Sequence, residues 1–67
     1  MAKPRKLNCI KDVLKQQGRT QVWLAQKLGK EYVTVTRWVN NTNQPSLQML
    51  FDIAHALQVS VKDLIND

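Results

Sequence analysis

Residues Thr20 to Trp38 read TQVWLAQKLGKEYVTVTRW, and this stretch decides the fold. Its small, flexible and apolar residues fall where two short helices crossing at a steep angle need them. Ala25 is small enough to let two backbones approach. Gly29 accepts the positive φ of a tight turn without a Cβ clash. Beyond that turn, Val35 and Trp38 recur at i, i+3 spacing and are expected to face inward. The rest of the second helix is then free to face outward.

Working outward, Thr20 is suited to cap a helix of about residues 21 to 28, with Leu24, Ala25 and Leu28 inward. The helix after Gly29 is expected over about residues 32 to 40. Upstream, Asn8 can cap a first helix of about residues 9 to 17, with Asp12 near its positive end. Ile10, Val13, Leu14 and Gln17 follow its 3.6-residue stripe, and Gly18 ends it. Downstream, Asn40 to Pro45 (NNTNQP) is a polar loop of turn formers, with Asn41 suited to a left-handed conformation. Ser46 can cap a fourth helix of about residues 47 to 57, with Leu47, Leu50, Ile53, Ala54 and Leu57 inward. Ser60 to Asp63 has the form of a capping box and opens a last helical segment to about Ile65 that buries Leu64. No strand pattern competes. The expectation is an all-α domain of five short helices over residues 8–67, preceded by a basic, flexible arm over residues 1–7.

The 67-residue chain carries ten Lys or Arg against five Asp or Glu, a net charge of +5. One small domain is the ceiling at this length. The charge favours a polyanionic partner, nucleic acid or an anionic membrane surface. The membrane reading fails for want of a long apolar run or a basic amphipathic helix. No signal peptide is visible, and a cytoplasmic setting is expected. Cys9 is the only cysteine, so neither an internal disulfide nor a multi-cysteine metal site can form. It reads as a small, half-buried residue in the first helical turn. His55, the only histidine, reads as a polar residue on an exposed helix face. There is no nucleophile–base pair, glycine-rich phosphate loop or metal-ligand constellation. The chain is therefore not expected to be an enzyme, nor to take a cofactor, metal or small-molecule ligand.

From about Ile10 to Ile65 the sequence resembles the Cro/C1-type helix-turn-helix family of phage repressors and bacterial transcriptional regulators. The resemblance rests on Thr20-Gln21, Leu24-Ala25, Lys27-Leu28-Gly29, Val35, Arg37-Trp38 and Pro45-Ser46-Leu47. It continues through Ala54, Ala56-Leu57, Val59-Ser60-Val61 and Asp63-Leu64. Each piece is weak alone, but the order and spacing are specific. It implies a lambda-repressor-like domain with its helix-turn-helix at about residues 21–40, binding double-stranded operator DNA as a dimer on palindromic half-sites.

Carried over position by position, the resemblance gives Gln21 a phosphate at the start of the second helix. Tyr32 and Val33 open the recognition helix, where side chains reach base edges. Thr36 and Arg37 follow one turn on, Arg37 being suited to a bidentate contact with guanine O6 and N7. Thr34 can serve a phosphate or bond back within its helix. Asn40, Thr42 and Asn43 lie where such proteins grip the backbone. This sequence departs from the family in three places, one of them the loop after the third helix, which is polar but uncharged. Glu31 stands where Ser or Thr usually caps the recognition helix, and Trp23 replaces the Glu that would complete a capping box with Thr20. Trp23 is expected off the core stripe, forming an exposed apolar patch with Val22.

A sequence-specific regulator, a repressor or controller protein, is the leading expectation. An antitoxin, or a protein-interaction module on the same fold, is the alternative. The polar and basic outer face of Tyr32, Thr36 and Arg37, with Lys30 nearby, favours DNA. One short recognition helix reads few base pairs, so a weak homodimer that DNA strengthens is expected, joined around Val59, Val61 and Ile65.

Overall fold

The computed structural model describes residues 7–65. The expected arm, Leu7 apart, lies outside them. Four α-helices and a 3-10 turn follow in order: α1 (Ile10–Gln17), α2 (Gln21–Leu28), α3 (Tyr32–Val39), α4 (Leu47–Leu57) and a closing 3-10 turn at Val61–Leu64. The described residues contain no strand, only an isolated antiparallel bridge between Asn8 and Ile65.

Local chemistry sets the boundaries. Thr20 Oγ1 accepts from the Trp23 N–H at 3.0 Å, capping α2. Ser46 Oγ does the same for Met49 at 3.1 Å, capping α4. Gly18 and Gly29 end α1 and α2 in the left-handed region, φ 66° and 67°. Their amides return to carbonyls of the last turn, as helix closure requires. Gln58 takes the same conformation after α4, φ 57°. Ser60 and Asp63 form the expected capping box.

One core joins all five elements. Ile10, Val13 and Leu14 of α1 meet Leu24 and Ala25 of α2, Val35 and Val39 of α3, Ile53, Ala54 and Leu57 of α4, and Leu64. Fully burying an aliphatic side chain of this kind is worth about 1.5–3 kcal/mol, so these contacts carry the fold.

The packing corrects several expectations. The inward pair of α3 is Val35 and Val39, while Trp38 is half-buried at the edge of the core. A helix turns 100° per residue, so both i+3 and i+4 neighbours of Val35 share its face. The crossing with the other helices centres the seam on Val39. Leu47 does not face the core either: it opens α4 67% exposed, beyond the reach of the other helices. Leu28 and Leu50 are only half-buried. Gln17 is exposed, but its Nε2 donates to the Leu57 carbonyl at 2.8 Å and so serves the end of α4.

Asn8 also differs from expectation. Cys9 holds the N-cap position of α1. Asn8, 2% exposed, instead ties the start of the chain to the loop after α3. Its Nδ2 donates to the Trp38 carbonyl at 2.9 Å and to Gln44 Oε1 at 2.8 Å. Its Oδ1 accepts from the Ile10 N–H at 3.2 Å. Asn41, left-handed at φ 60°, completes the clasp: its Oδ1 accepts from the Leu7 and Asn8 amides, and its Nδ2 donates to the Asn8 carbonyl.

Candidate nucleic-acid interface

Because Val35 and Val39 are buried, the opposite side of α3 must face outward, and helical geometry names it. Arg37 lies nearly opposite the seam, with Val33, Thr36 and Asn40 beside it and Tyr32 at the leading edge. Tyr32 is 51% and Val33 55% exposed, and Arg37 and Asn40 are exposed too. Thr34 is half-buried on the flank. An α-helix with its side chains is about 10–12 Å across, which matches the width of the DNA major groove.

The face is held rigidly from both ends. Thr36 Oγ1 donates to Gln21 Oε1 at 2.9 Å, so the first residue of α2 sits against the outward face of α3. With its oxygen engaged, Gln21 has its amide N–H groups left to donate outward, beside the N-terminal amides of α2. Beyond α3, the Thr42 and Asn43 amides both donate to the Arg37 carbonyl, at 2.9 and 3.2 Å. That turns the loop back while the side chains of Asn40, Thr42 and Asn43 stay exposed. Asn41, between them, is turned inward into the Asn8 clasp. Sequence reading had no signal for this division of labour beyond the left-handed propensity of Asn.

Glu31 occupies the N-cap position of α3 with extended backbone and makes no side-chain capping bond. The helix therefore begins at Tyr32 without the usual hydroxyl cap. Trp23 is not part of an exposed patch with Val22. It is half-buried against the core, and the Arg19 guanidinium lies over its ring, 4.4 Å from the centroid. Arg19 was not singled out by the sequence.

Cys9 is half-buried and its thiol donates to the Asp63 carbonyl at 3.0 Å. His55 is exposed. Among the described residues, no group of three His, Cys, Asp or Glu side chains is placed to hold a metal ion, and no helix is long and apolar enough to cross a membrane.

Comparison with known proteins matches this geometry. A crystal structure from Bacteroides fragilis, of a protein provisionally named as DNA-binding, superposes with a TM-score of 0.87 at 48% identity. The match covers 90% of this chain and 97% of that one. Over 54 residues, 81% of the chain, the sequence is 37% identical to the antitoxin HipB of Escherichia coli O6:H1. It is 35% identical to the antitoxin HipB of Escherichia coli K12 over the same length. The matched segment amounts to 57% and 61% of those two proteins. A family model described as helix-turn-helix matches residues 10–64, from the first residue of α1 to the last of the 3-10 turn. With the glycine turn between α2 and α3, the outward face of α3 and this match in register, the chain belongs to the Cro/C1-type helix-turn-helix family.

Proposed function

We propose that this protein is a non-enzymatic transcriptional regulator that binds double-stranded DNA, with α3 in the major groove. The observation that carries the reading is the outward face of Tyr32, Val33, Thr36, Arg37 and Asn40, with Gln21 bonded to its edge through Thr36. On this reading Arg37 reads guanine, Tyr32 and Val33 reach base edges or a thymine methyl, and Gln21 takes a phosphate together with the α2 N-terminus. Thr34, Asn40, Thr42 and Asn43 supply neutral hydrogen bonds to the backbone.

The dimer follows from the need for a second reading head. The expected patch of Val59, Val61 and Ile65 gains support from α4: Phe51 is 55% exposed and lines one concavity with Val59 and Val61. Leu47, one turn before Phe51, adds to the apolar face. Two chains joined there and related by a two-fold axis would present their α3 helices to inverted half-sites about 34 Å apart.

Selection from a randomised duplex pool, followed by footprinting, tests both claims. An inverted repeat with two protected half-sites is expected. Arg37→Ala should relax one base position and cost about 1–3 kcal/mol on the selected site. A single asymmetric footprint holding one chain would overturn the dimer, and equal losses on selected and random DNA would move Arg37 to a phosphate.

The similarity to two antitoxins favours a second reading, in which the regulator also neutralises a protein toxin. Co-expression of this chain with a candidate protein toxin, with rescue of growth or its failure, decides that addition without touching the DNA claim.

A further inference from the structure

The Arg19–Trp23 stack has no part in the reading above, and Arg19 shares a concavity with two other cations, Lys11 and Lys15. Lys11 and Lys15 of α1, Arg19, and Gln21 at the start of α2 line one shallow concavity. These are three cations with no carboxylate among the lining residues. Arg19 itself is exposed but not loose, because the ring of Trp23 lies beneath its guanidinium at 4.4 Å. A cation over an indole face keeps its outward N–H groups available while losing rotamer freedom. Trp23 is in turn fixed by its own packing on the core.

We infer that Lys11, Lys15 and the Trp23-held Arg19 form a second backbone-binding shelf for duplex DNA, continuous with Gln21 and lying outside the groove that α3 enters. The assignment rests on the DNA-binding reading and extends it. Gln21 sits at the rim of both surfaces, bonded to Thr36 on one side and lining the basic concavity on the other. A strand whose phosphate meets the α2 N-terminus would continue over the shelf. Its next phosphates would then meet fixed positive charge rather than the neutral side chains of the loop after α3. The Trp that breaks the family's capping pattern therefore has a role: it orients an arginine toward the backbone.

The test is the salt dependence of binding of the full chain to two unrelated labelled duplexes. Wild type is compared with Arg19→Ala, Arg19→Lys, Trp23→Leu and Lys62→Ala, the last removing a charge outside the concavity. Arg19→Ala should reduce the log–log salt slope by about 0.9 for each bound chain and weaken both duplexes alike. Arg19→Lys should keep most of the slope. Trp23→Leu should weaken binding in the same sequence-independent way while its helical circular dichroism stays that of wild type. Lys62→Ala should leave the slope near the wild-type value. If Arg19→Ala changes the slope no more than Lys62→Ala does, the shelf is wrong while DNA binding stands. If wild type binds neither duplex, the DNA reading fails and the shelf with it.

Discussion

Thr36 Oγ1 and Gln21 Oε1, fifteen positions apart in sequence, meet at 2.9 Å and fasten the start of α2 to the outward face of α3. The bond ties the two helices together at the surface where both would meet DNA. A neutral, partly buried hydrogen bond of this kind contributes about 0.5–1.5 kcal/mol. A double-mutant cycle on Gln21→Ala and Thr36→Val should recover a coupling of that size in urea denaturation. Zero coupling would mean that the two side chains act independently in solution.

Asn8 should be the most costly polar residue to replace. Removing its side chain leaves the buried Ile10 N–H without its acceptor and takes one donor each from the Trp38 carbonyl and Gln44 Oε1. Asn8→Ala should cost about 2–3 kcal/mol, a large share of the stability of a domain this small. Asn8→Asp should be no milder, since it sets an acceptor against two acceptors. If Asp restored full stability, the donated bonds would not matter.

Gly29 isolates a backbone effect. A Cβ built there meets nothing within 4 Å, yet φ is +67°. Gly29→Ala should therefore cost only the left-handed penalty, about 1–2 kcal/mol. Gly29→Asn should cost less, because Asn tolerates that conformation. Thermal melts of both variants check the order, and Ala milder than Asn would contradict it.

Much of this was legible before the structure. Helix positions, the Thr20 and Ser46 caps, both glycine turns and the Ser60–Asp63 box are local, and local chemistry is what a sequence displays. The outward residues of α3 were named by the family resemblance, and the periodicity said only that a face lay opposite Val35. What stayed hidden is set by partners far along the chain. Nothing near Asn8 announces Asn41 or Gln44, and nothing near Leu47 says that no helix will cover it. The choice of Val39 over Trp38 depends on how α3 crosses its neighbours. Arg19 gains its place only once Trp23 is seen beneath it.

Phe51 and Leu47 bear on self-association. Both are exposed, so Phe51→Ser and Leu47→Ser should change stability by no more than about 0.5 kcal/mol. If two chains join there as proposed, sedimentation equilibrium at high protein concentration should nevertheless show both variants associating less than wild type. An unchanged association constant would remove α4 from the interface.

The outward surface around α3 is proposed to bind the backbone and grooves of duplex DNA. Its most direct test is fluorescence anisotropy with a labelled duplex, titrated with the wild-type chain from low to physiological salt. With about four to six phosphates neutralised per pair of chains, the logarithm of affinity should fall against the logarithm of salt with a slope of about −4 to −5. A flat salt response, or no binding to duplex at the lowest salt, would rule out duplex DNA as the partner of this surface.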